Sequence, residues 1–333
     1  MADATAQLTK KDYKSDQEVR WCPGCGDYAI LNAVQALATE RQMDRSKTVF
    51  VSGIGCSSRF PYYMSTYGFH TIHGRAPAFA TGIKAANPEL DVWLVTGDGD
   101  GLSIGGNHLA HILRRNVDVN ILMFNNEIYG LTKGQYSPTS PIGTRKKSTP
   151  MGSIDRPFNP VAFAVGANAT FVARTLDVDM KHMVKTMGAA MDHKGTSFVE
   201  ILQNCVIFNK DFYNSTVDKS VRADRTIDLV PGEKMVYGKE GDKGIKVSGW
   251  DLVGSSAEDA DVWNPSLENA APAFAMSSLD TNPDLPTPLG IFRSVDAPVY
   301  EEAVNAQIAE AIEKKGRGKL HDIVWTGETW EVE

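Results

Sequence analysis

The 333-residue sequence contains only four cysteines and lacks any long apolar run. Four cysteines in a chain of this length do not make the disulfide framework of a secreted protein. No stretch approaches the roughly 18 consecutive apolar residues that a membrane span requires, and the polar start of the chain lacks the apolar core of a signal peptide. We therefore expect a cytoplasmic protein with no membrane partner.

An excess of positive charge is also missing. Thirty-four Lys and Arg residues stand against 41 Asp and Glu residues, which leaves a formal net charge of −7. Because nucleic-acid binding relies on a basic surface, the composition argues against a nucleic-acid partner. The 42% of hydrophobic residues are enough to bury a core, so we expect a small-molecule or protein partner.

Between residues 21 and 205, apolar strand patterns alternate with helical ones. The predicted strands are 47–55, 92–96, 119–124 and 197–202, and the predicted helices are one that follows Cys25 and is capped by Asp27, then 76–86, 103–114, 159–167 and 177–191. This alternation predicts an α/β domain, a parallel sheet with helices on both faces. Ligands of such folds bind beyond the carboxyl ends of the strands.

The two ends of the chain differ from this domain. Residues 1–20 are polar and are predicted to form an N-terminal arm on the surface. Residues 206–333 are rich in Gly, Asp and Pro, which predicts an extended C-terminal arm followed by a helix at about 299–314. We expect this segment to have little core of its own and to pack on a partner subunit; a loosely ordered tail is the alternative.

The strongest motif is Gly97-Asp98-Gly99-Asp100 after one predicted strand, with Asn125-Asn126 after the next. A carboxylate, an amide oxygen and a nearby backbone carbonyl are oxygen ligands suited to Mg²⁺, which commonly bridges a diphosphate. The glycines allow close approach to phosphates, and a helix starting near Ser103 would direct its N-terminus at the anion. A turn at the end of a strand, with an unrelated Asn pair, is the alternative.

The second group consists of the four cysteines, Cys22, Cys25, Cys56 and Cys205. The first two are spaced to bind one metal centre, and the other two follow later strands. Four thiolates suit either zinc or a [4Fe–4S] cluster, and the cysteine pattern by itself does not separate the two.

The motifs WCPGCGD, GIGCSSRFPYY, GDGD and NNEIYGLTKGQ, followed by one late cysteine, occur in an order that resembles the β subunits of 2-oxoacid:ferredoxin oxidoreductases. The resemblance spans about residues 20–210. It implies the diphosphate-side domain of the thiamine-diphosphate-binding fold, and it implies that the four cysteines hold a [4Fe–4S] cluster.

The resemblance also implies roles for single residues. Asp98, Asn126 and the backbone carbonyl of Ile128 would bind Mg²⁺. Arg59 and Lys133 would meet substrate carboxylates or the diphosphate; a solvated surface cation is the alternative for each. The residues implied to bind the cofactor are His73, Gly97, Asp98, Gly99, Asp100, Asn126, Ile128, Tyr129, Gly130, Leu131 and Thr132.

The function that the resemblance implies is the reversible, coenzyme A-dependent oxidative decarboxylation of a 2-oxo acid, with electrons passing to ferredoxin. The chain has room for only one α/β domain, so we expect another polypeptide to complete the site. The resemblance implies that this is a larger α subunit, which supplies the pyrimidine-side domain in an α2β2 assembly. The tail sequence PLGIFRSV and Arg59 favour 2-oxoglutarate over pyruvate as substrate. The alternatives are a pyruvate-specific member, a non-redox thiamine enzyme with structural zinc, and a scaffold subunit.

Overall fold

A computed structural model describes residues 7–210, 212–249, 251–328 and 330–332. Residues 1–6 of the predicted N-terminal arm, and residues 211, 250, 329 and 333 of the predicted C-terminal segment, lie outside the described residues. The strands are β1 (Thr48–Ser52), β2 (Tyr67–His70), β3 (Asp91–Gly97), β4 (Asn120–Asn125), β5 (Ile128–Tyr129), β6 (Gln135–Tyr136), β7 (Phe171–Leu176), β8 (Ser197–Leu202), β9 (Thr226–Leu229), β10 (Val236–Tyr237), β11 (Lys243–Ser248), β12 (Asp251–Ser256) and β13 (Thr287–Ser294).

The α-helices are α1 (Asp27–Arg41), α2 (Ala76–Ala86), α3 (Asp98–Leu102), α4 (Gly106–Arg115), α5 (Pro160–Gly166), α6 (Met180–Asp192), α7 (Asn214–Val217), α8 (Arg222–Arg225), α9 (Ala271–Ser277), α10 (Tyr300–Lys315) and α11 (Leu320–Val324). Short 3₁₀ helices cover Lys10–Tyr13, Ser57–Tyr63 and Leu279–Thr281.

Within the described residues, the main sheet has eight strands in the order β2-β1-β3-β4-β8-β7-β13-β9. The pairs from β2 to β7 are all parallel, whereas β13 runs antiparallel to β7 and parallel to β9. Parallel neighbours place their carboxyl ends at one edge of the sheet, so the segments that follow β1, β3, β4 and β8 meet there.

Two apolar cores lie on opposite faces of this sheet. Along β3, Val92 and Leu94 belong to one buried cluster, and Trp93 and Val95 belong to the other. Successive strand residues point to opposite faces, so a strand that is apolar throughout must be covered on both sides. The predicted α/β class, a parallel sheet with helices on both faces, is confirmed.

Two local predictions differ from the structure. The N-cap of α1 is Gly26, and Asp27 is instead a buried residue of the first turn. The helix predicted at 103–114 is divided into α3 and α4, because Ser103 leaves helical geometry and Gly105 packs against backbone of Gly74 and Asp100, where a Cβ would not fit. The helical turn after β3 therefore begins at Asp98 itself.

The N-terminal arm is less peripheral than expected. Tyr13 is fully buried and donates a hydrogen bond from its hydroxyl to the carbonyl of Met43, at 2.8 Å. Lys14 forms an isolated antiparallel bridge with Met64. The described part of the arm is thus attached to the core by one aromatic side chain.

The C-terminal segment differs from the predicted extended arm over residues 226–294. Strands β9 and β13 extend the main sheet, and β10, β11 and β12 form a second, three-stranded sheet. Ile227, Trp263 and Phe292 are buried in the same cluster as the central strands. The prolines interrupt the elements without preventing them, so this region shares the core of the domain.

The end of the chain has the expected exposed character. Helix α10 lies close to the predicted bounds, and its residues Ile308 and Ile312 are exposed. Among the described residues, no helix is both long and apolar enough to cross a bilayer.

Candidate active site

A cavity of about 700 Å³, partly open to solvent, lies at the carboxyl edge of the sheet. It is bounded by the segments that follow β1, β3 and β4. Every residue that the sequence predicted to bind the cofactor lines this cavity, and so does Cys56. The sheet thus brings together motifs that are more than 70 positions apart in the chain.

Asp98 begins the turn after β3 and is almost completely buried. Its Oδ2 accepts a hydrogen bond from the hydroxyl of Thr139 at 2.6 Å. Burial raises the pKa of Asp98, and hydrogen bonds from Ser137, Thr139 and the backbone of Gly99 oppose that rise. A buried carboxylate facing a cavity at a strand end is suited to a cation.

The side chain of Asp100 is directed into the protein. Its Oδ1 accepts hydrogen bonds from the backbone N–H groups of Ile54, at 3.1 Å, and Gly74, at 2.7 Å, while Oδ2 accepts one from the hydroxyl of Thr96 at 2.7 Å. The carboxylate therefore holds the loops after β1 and β2 against the turn after β3. Only the backbone of Asp100 is left to face a ligand.

Gly99 is required by a close approach of Tyr129. A Cβ on Gly99 would lie 2.2 Å from the Tyr129 ring, and the Tyr129 hydroxyl donates to the carbonyl of Gly99 at 3.1 Å. The two cavity walls, one after β3 and one after β4, are joined at this contact.

The turn after β4 carries Asn126 and Ile128. The Oδ1 of Asn126 accepts a hydrogen bond from the backbone N–H of Ile128 at 3.2 Å. The backbone carbonyl of Asn126 accepts one from the Asn209 side chain at 3.0 Å. Asn126 and Ile128 both line the cavity together with Asp98. One carboxylate, one amide and one backbone carbonyl are therefore available at the same end of the cavity.

Glu127, between those two residues, was not singled out from the sequence. It adopts a left-handed conformation, with φ of 54°, and accepts a hydrogen bond from the Tyr213 hydroxyl at 3.1 Å. Burial, followed by the charges of Asp98 and Glu200, raises the pKa of Glu127 to about 9. A glutamate next to an Asn pair gives no signal in the sequence, because its environment comes from Tyr213, 86 positions away.

The four cysteines lie around one region beside the cavity. A Cβ on Gly130 would be 3.5 Å from the sulfur of Cys56 and 3.8 Å from that of Cys205. Burial first, and then the charges of Asp27, Cys205 and Cys22, raise the pKa of Cys56 to about 12. Burial, Asp27 and the neighbouring Cys205 and Cys56 raise the pKa of Cys25 in the same way.

These thiols are neighbours, yet they do not form a cage for one ion. Among the described residues, no three His, Cys, Asp or Glu side chains are placed to hold a single metal ion. The raised pKa values follow from burial together with mutual repulsion of the thiolates, so a positive centre among them would stabilise their ionised forms.

The two predicted catalytic cations lie away from the cavity wall. Arg59 donates from Nε to the Tyr63 hydroxyl at 3.1 Å, and its charge acts on Cys56. Lys133 is exposed in a left-handed turn with φ of 75°. Neither Arg59 nor Lys133 is among the described residues that line the cavity, whereas His73 is. Their catalytic roles stay predictions.

A buried polar chain also escaped sequence analysis. Asn125 donates to Oε1 of Glu200 at 2.7 Å, and Oε2 of Glu200 accepts from Nε of Arg174 at 2.6 Å. Asp280 lies 3.6 Å from the same guanidinium. The chain connects the end of β4 with the C-terminal segment through the interior of the sheet.

The chain is similar to proteins of a known family. Residues 53–201 match the C-terminal TPP-binding domain of thiamine pyrophosphate enzymes. The chain is 51% identical over 331 residues to 2-oxoglutarate oxidoreductase subunit KorB of Mycobacterium tuberculosis, covering 97% of this chain and 88% of that protein. The chain belongs to the β subunits of the 2-oxoacid:ferredoxin oxidoreductases.

Two other relatives of this β subunit support the same family assignment. The β subunit of 2-oxoacid:ferredoxin oxidoreductase 1 from Aeropyrum pernix is 47% identical over 203 residues, which cover 61% of this chain and 64% of that protein. A solved 2-oxoglutarate:ferredoxin oxidoreductase from Magnetococcus marinus, with 2-oxoglutarate, coenzyme A and succinyl-CoA bound, superposes with a TM-score of 0.76. That chain is 35% identical, with 97% of both chains covered. The predicted family and the predicted oxidoreductase class are confirmed.

Proposed function

We propose that this β subunit, together with a larger α subunit, oxidatively decarboxylates 2-oxoglutarate, transfers the succinyl group to coenzyme A, releases carbon dioxide and passes the two electrons to ferredoxin. The observation that carries the proposal is the single cavity lined by Asp98, Asn126 and Cys56. This shared lining supports a diphosphate-type site beside the cysteine group. The reaction is reversible in principle, and its direction depends on the ferredoxin potential.

The donor set in the lining of the cavity fits magnesium. Asp98, Asn126 and the carbonyl of Ile128 would hold Mg²⁺, and the backbone of Gly99 and Asp100 would face the diphosphate of thiamine diphosphate. When bound, this cofactor supplies the electron sink that a decarboxylation requires. The task of the chain is to orient the cofactor and to exclude water with the apolar wall residues.

Membership of the 2-oxoacid:ferredoxin oxidoreductase β subunits favours a [4Fe–4S] cluster over zinc at the cysteine group. The thiols raise one another's pKa, so a positive centre among them would stabilise their ionised forms. A cluster held by Cys22, Cys25, Cys56 and Cys205 would lie beside the cofactor cavity, because Cys56 borders both.

The substrate and the partner follow from the relatives. The M. tuberculosis relative is named for 2-oxoglutarate, and the Magnetococcus structure contains 2-oxoglutarate, coenzyme A and succinyl-CoA. The Aeropyrum pernix relative is named a β subunit, which supports an α partner for this chain. We propose that the two form an α2β2 assembly. Arg59 and Lys133 would serve as cations near the site, where they attract acidic substrates.

The test is to purify the chain with its α subunit under anaerobic conditions and to measure coenzyme A-dependent reduction of ferredoxin. We expect faster reduction with 2-oxoglutarate than with pyruvate, and broad visible absorption that bleaches on reduction. Equal or better rates with pyruvate would refute the substrate assignment. A colourless protein containing stoichiometric zinc would refute the redox assignment.

A further inference from the structure

The loop Ser137–Ser140, between β6 and α5, carries three buried hydroxyl groups. Those of Ser137 and Thr139 lie 3.2 Å apart, and those of Ser137 and Ser140 lie 3.3 Å apart. None of these four described residues lines the cavity. The loop nevertheless reaches the carboxylate proposed to bind magnesium, through Thr139.

We infer that Thr139 is a positioning residue that fixes the carboxylate of Asp98 for the metal through a hydrogen bond to Oδ2. The inference rests on the magnesium site proposed above. The Thr139 oxygen lies 2.6 Å from Oδ2 of Asp98 and 3.0 Å from Oδ1 of Asn125. A hydroxyl has one proton, and the closer acceptor, a carboxylate, makes the stronger bond.

The loop that carries Thr139 is held in place by the hydroxyl of Ser140. The Ser140 hydroxyl donates to the carbonyl of Glu127 at 2.5 Å and accepts from the backbone N–H of Ser137 at 2.8 Å. These bonds attach the loop to the turn that carries Asn126. The loop therefore keeps a fixed position relative to both proposed side-chain ligands.

The amide of Asn125 is fixed as well. Its Nδ2 donates to Glu200 at 2.7 Å, which directs its Oδ1 towards Thr139. Glu200 is in turn paired with Arg174. Thr139 thus lies between Asp98, which accepts its proton, and the end of a buried polar chain that crosses the sheet.

The test uses the complete complex of this chain with its α subunit, stripped of cofactor with a chelator under anaerobic conditions. Equilibrium dialysis against thiamine diphosphate at increasing MgCl₂ gives the MgCl₂ concentration at which half of the sites retain the cofactor. For Thr139→Val we expect this concentration to rise roughly 10- to 100-fold, since a hydrogen bond to a charged group contributes about that factor to an equilibrium constant.

Two further variants separate positioning from packing. Thr139→Ser keeps the hydroxyl and should stay within about threefold of the wild type. Thr48→Val removes a buried hydroxyl that donates to a backbone carbonyl at the opposite end of the sheet, and it should bind like the wild type. If Thr139→Val does not fold, Thr139→Ala replaces it with the same expectation.

Unchanged binding in the Val variant, or an equal loss in the Ser and Val variants, would overturn the inference while leaving the magnesium site intact. A wild-type complex that retains thiamine diphosphate independently of MgCl₂ would overturn the magnesium site and the inference with it. The two failures are therefore distinguishable in one experiment.

Discussion

The ion pair between Arg174 and Glu200 allows a quantitative test of the polar chain inside the sheet. Its atoms lie 2.6 Å apart, and the two side chains are 5% and 1% exposed. Removing one partner of such a pair typically costs about 3 to 5 kcal/mol, because the other charge stays buried. For Glu200→Gln we expect about 3 kcal/mol, since Asp280 lies near the guanidinium and Gln can still accept from Asn125.

This loss of unfolding free energy corresponds to a shift in the melting temperature. With an unfolding entropy of about 2.1 cal/mol/K per residue, a chain of 333 residues has about 0.7 kcal/mol/K, so 3 kcal/mol lowers the midpoint by about 4 °C. Differential scanning calorimetry of Glu200→Gln, of Arg174→Met and of the double variant provides the measurement. We expect the double variant to lose clearly less than the sum of the single variants.

Strict additivity of the two single losses would refute a direct interaction between Arg174 and Glu200. A midpoint for Glu200→Gln within about 1 °C of the wild type would show that the buried charge of Arg174 is compensated elsewhere. Thr48→Val provides a control for the loss of one ordinary buried hydrogen bond, with an expected cost of about 1 kcal/mol.

Three further predictions concern the site. Cys25→Ser should abolish visible absorption and ferredoxin reduction while thiamine diphosphate stays bound in dialysis. Loss of the bound thiamine diphosphate together with the absorption would show that the cysteine group and the cofactor site are not independent. Gly99→Ala should displace Tyr129 and weaken thiamine diphosphate binding at least 10-fold, whereas Gly82→Ala, where no atom lies within 4 Å of the new Cβ, should not. The pKa of Glu127 is about 9 against an ordinary 4.5, so the stabilisation from its neutral form is complete below pH 4.5 and declines by about 1.4 kcal/mol per unit as pH rises to 9. Glu127→Gln should therefore flatten urea-unfolding stability between pH 6 and 9 in cofactor-free complex, and an unchanged slope would refute the assignment.

Four of the eight described strands of the main sheet, β1, β3, β4 and β8, were predictable because they are short, largely apolar runs. Strand β7 was missed because Arg174 interrupts its apolar pattern, and the partner that makes this charge tolerable, Glu200, lies on another strand. Strand β2 was missed because it is an exposed edge strand with no buried side chain to reveal it. Both failures come from tertiary context, which overrides local pattern.

Most of the residues that line the cavity could be predicted from the sequence. Asp98 and Asn126 occur in compact motifs, so the sequence showed them directly. Thr139 and Glu127 act through side-chain contacts with distant residues, and a serine- and threonine-rich loop has the same composition as an ordinary turn. The sequence therefore identified residues that line the cavity, and it did not identify those whose side chains contact them from behind.

The strand order explains why the cysteines and the cofactor cavity share one edge. Strands β3 and β4 lie between β1, which leads to Cys56, and β8, which leads to Cys205. These two cysteines can meet only above the carboxyl ends of the central strands, and they do so at Gly130, in the segment that follows β4. The cysteine group must therefore lie directly beside the diphosphate motifs. A change that shifts β1 or β8 along the sheet should then disturb cofactor retention as well as the cysteine group, even when no cysteine is altered.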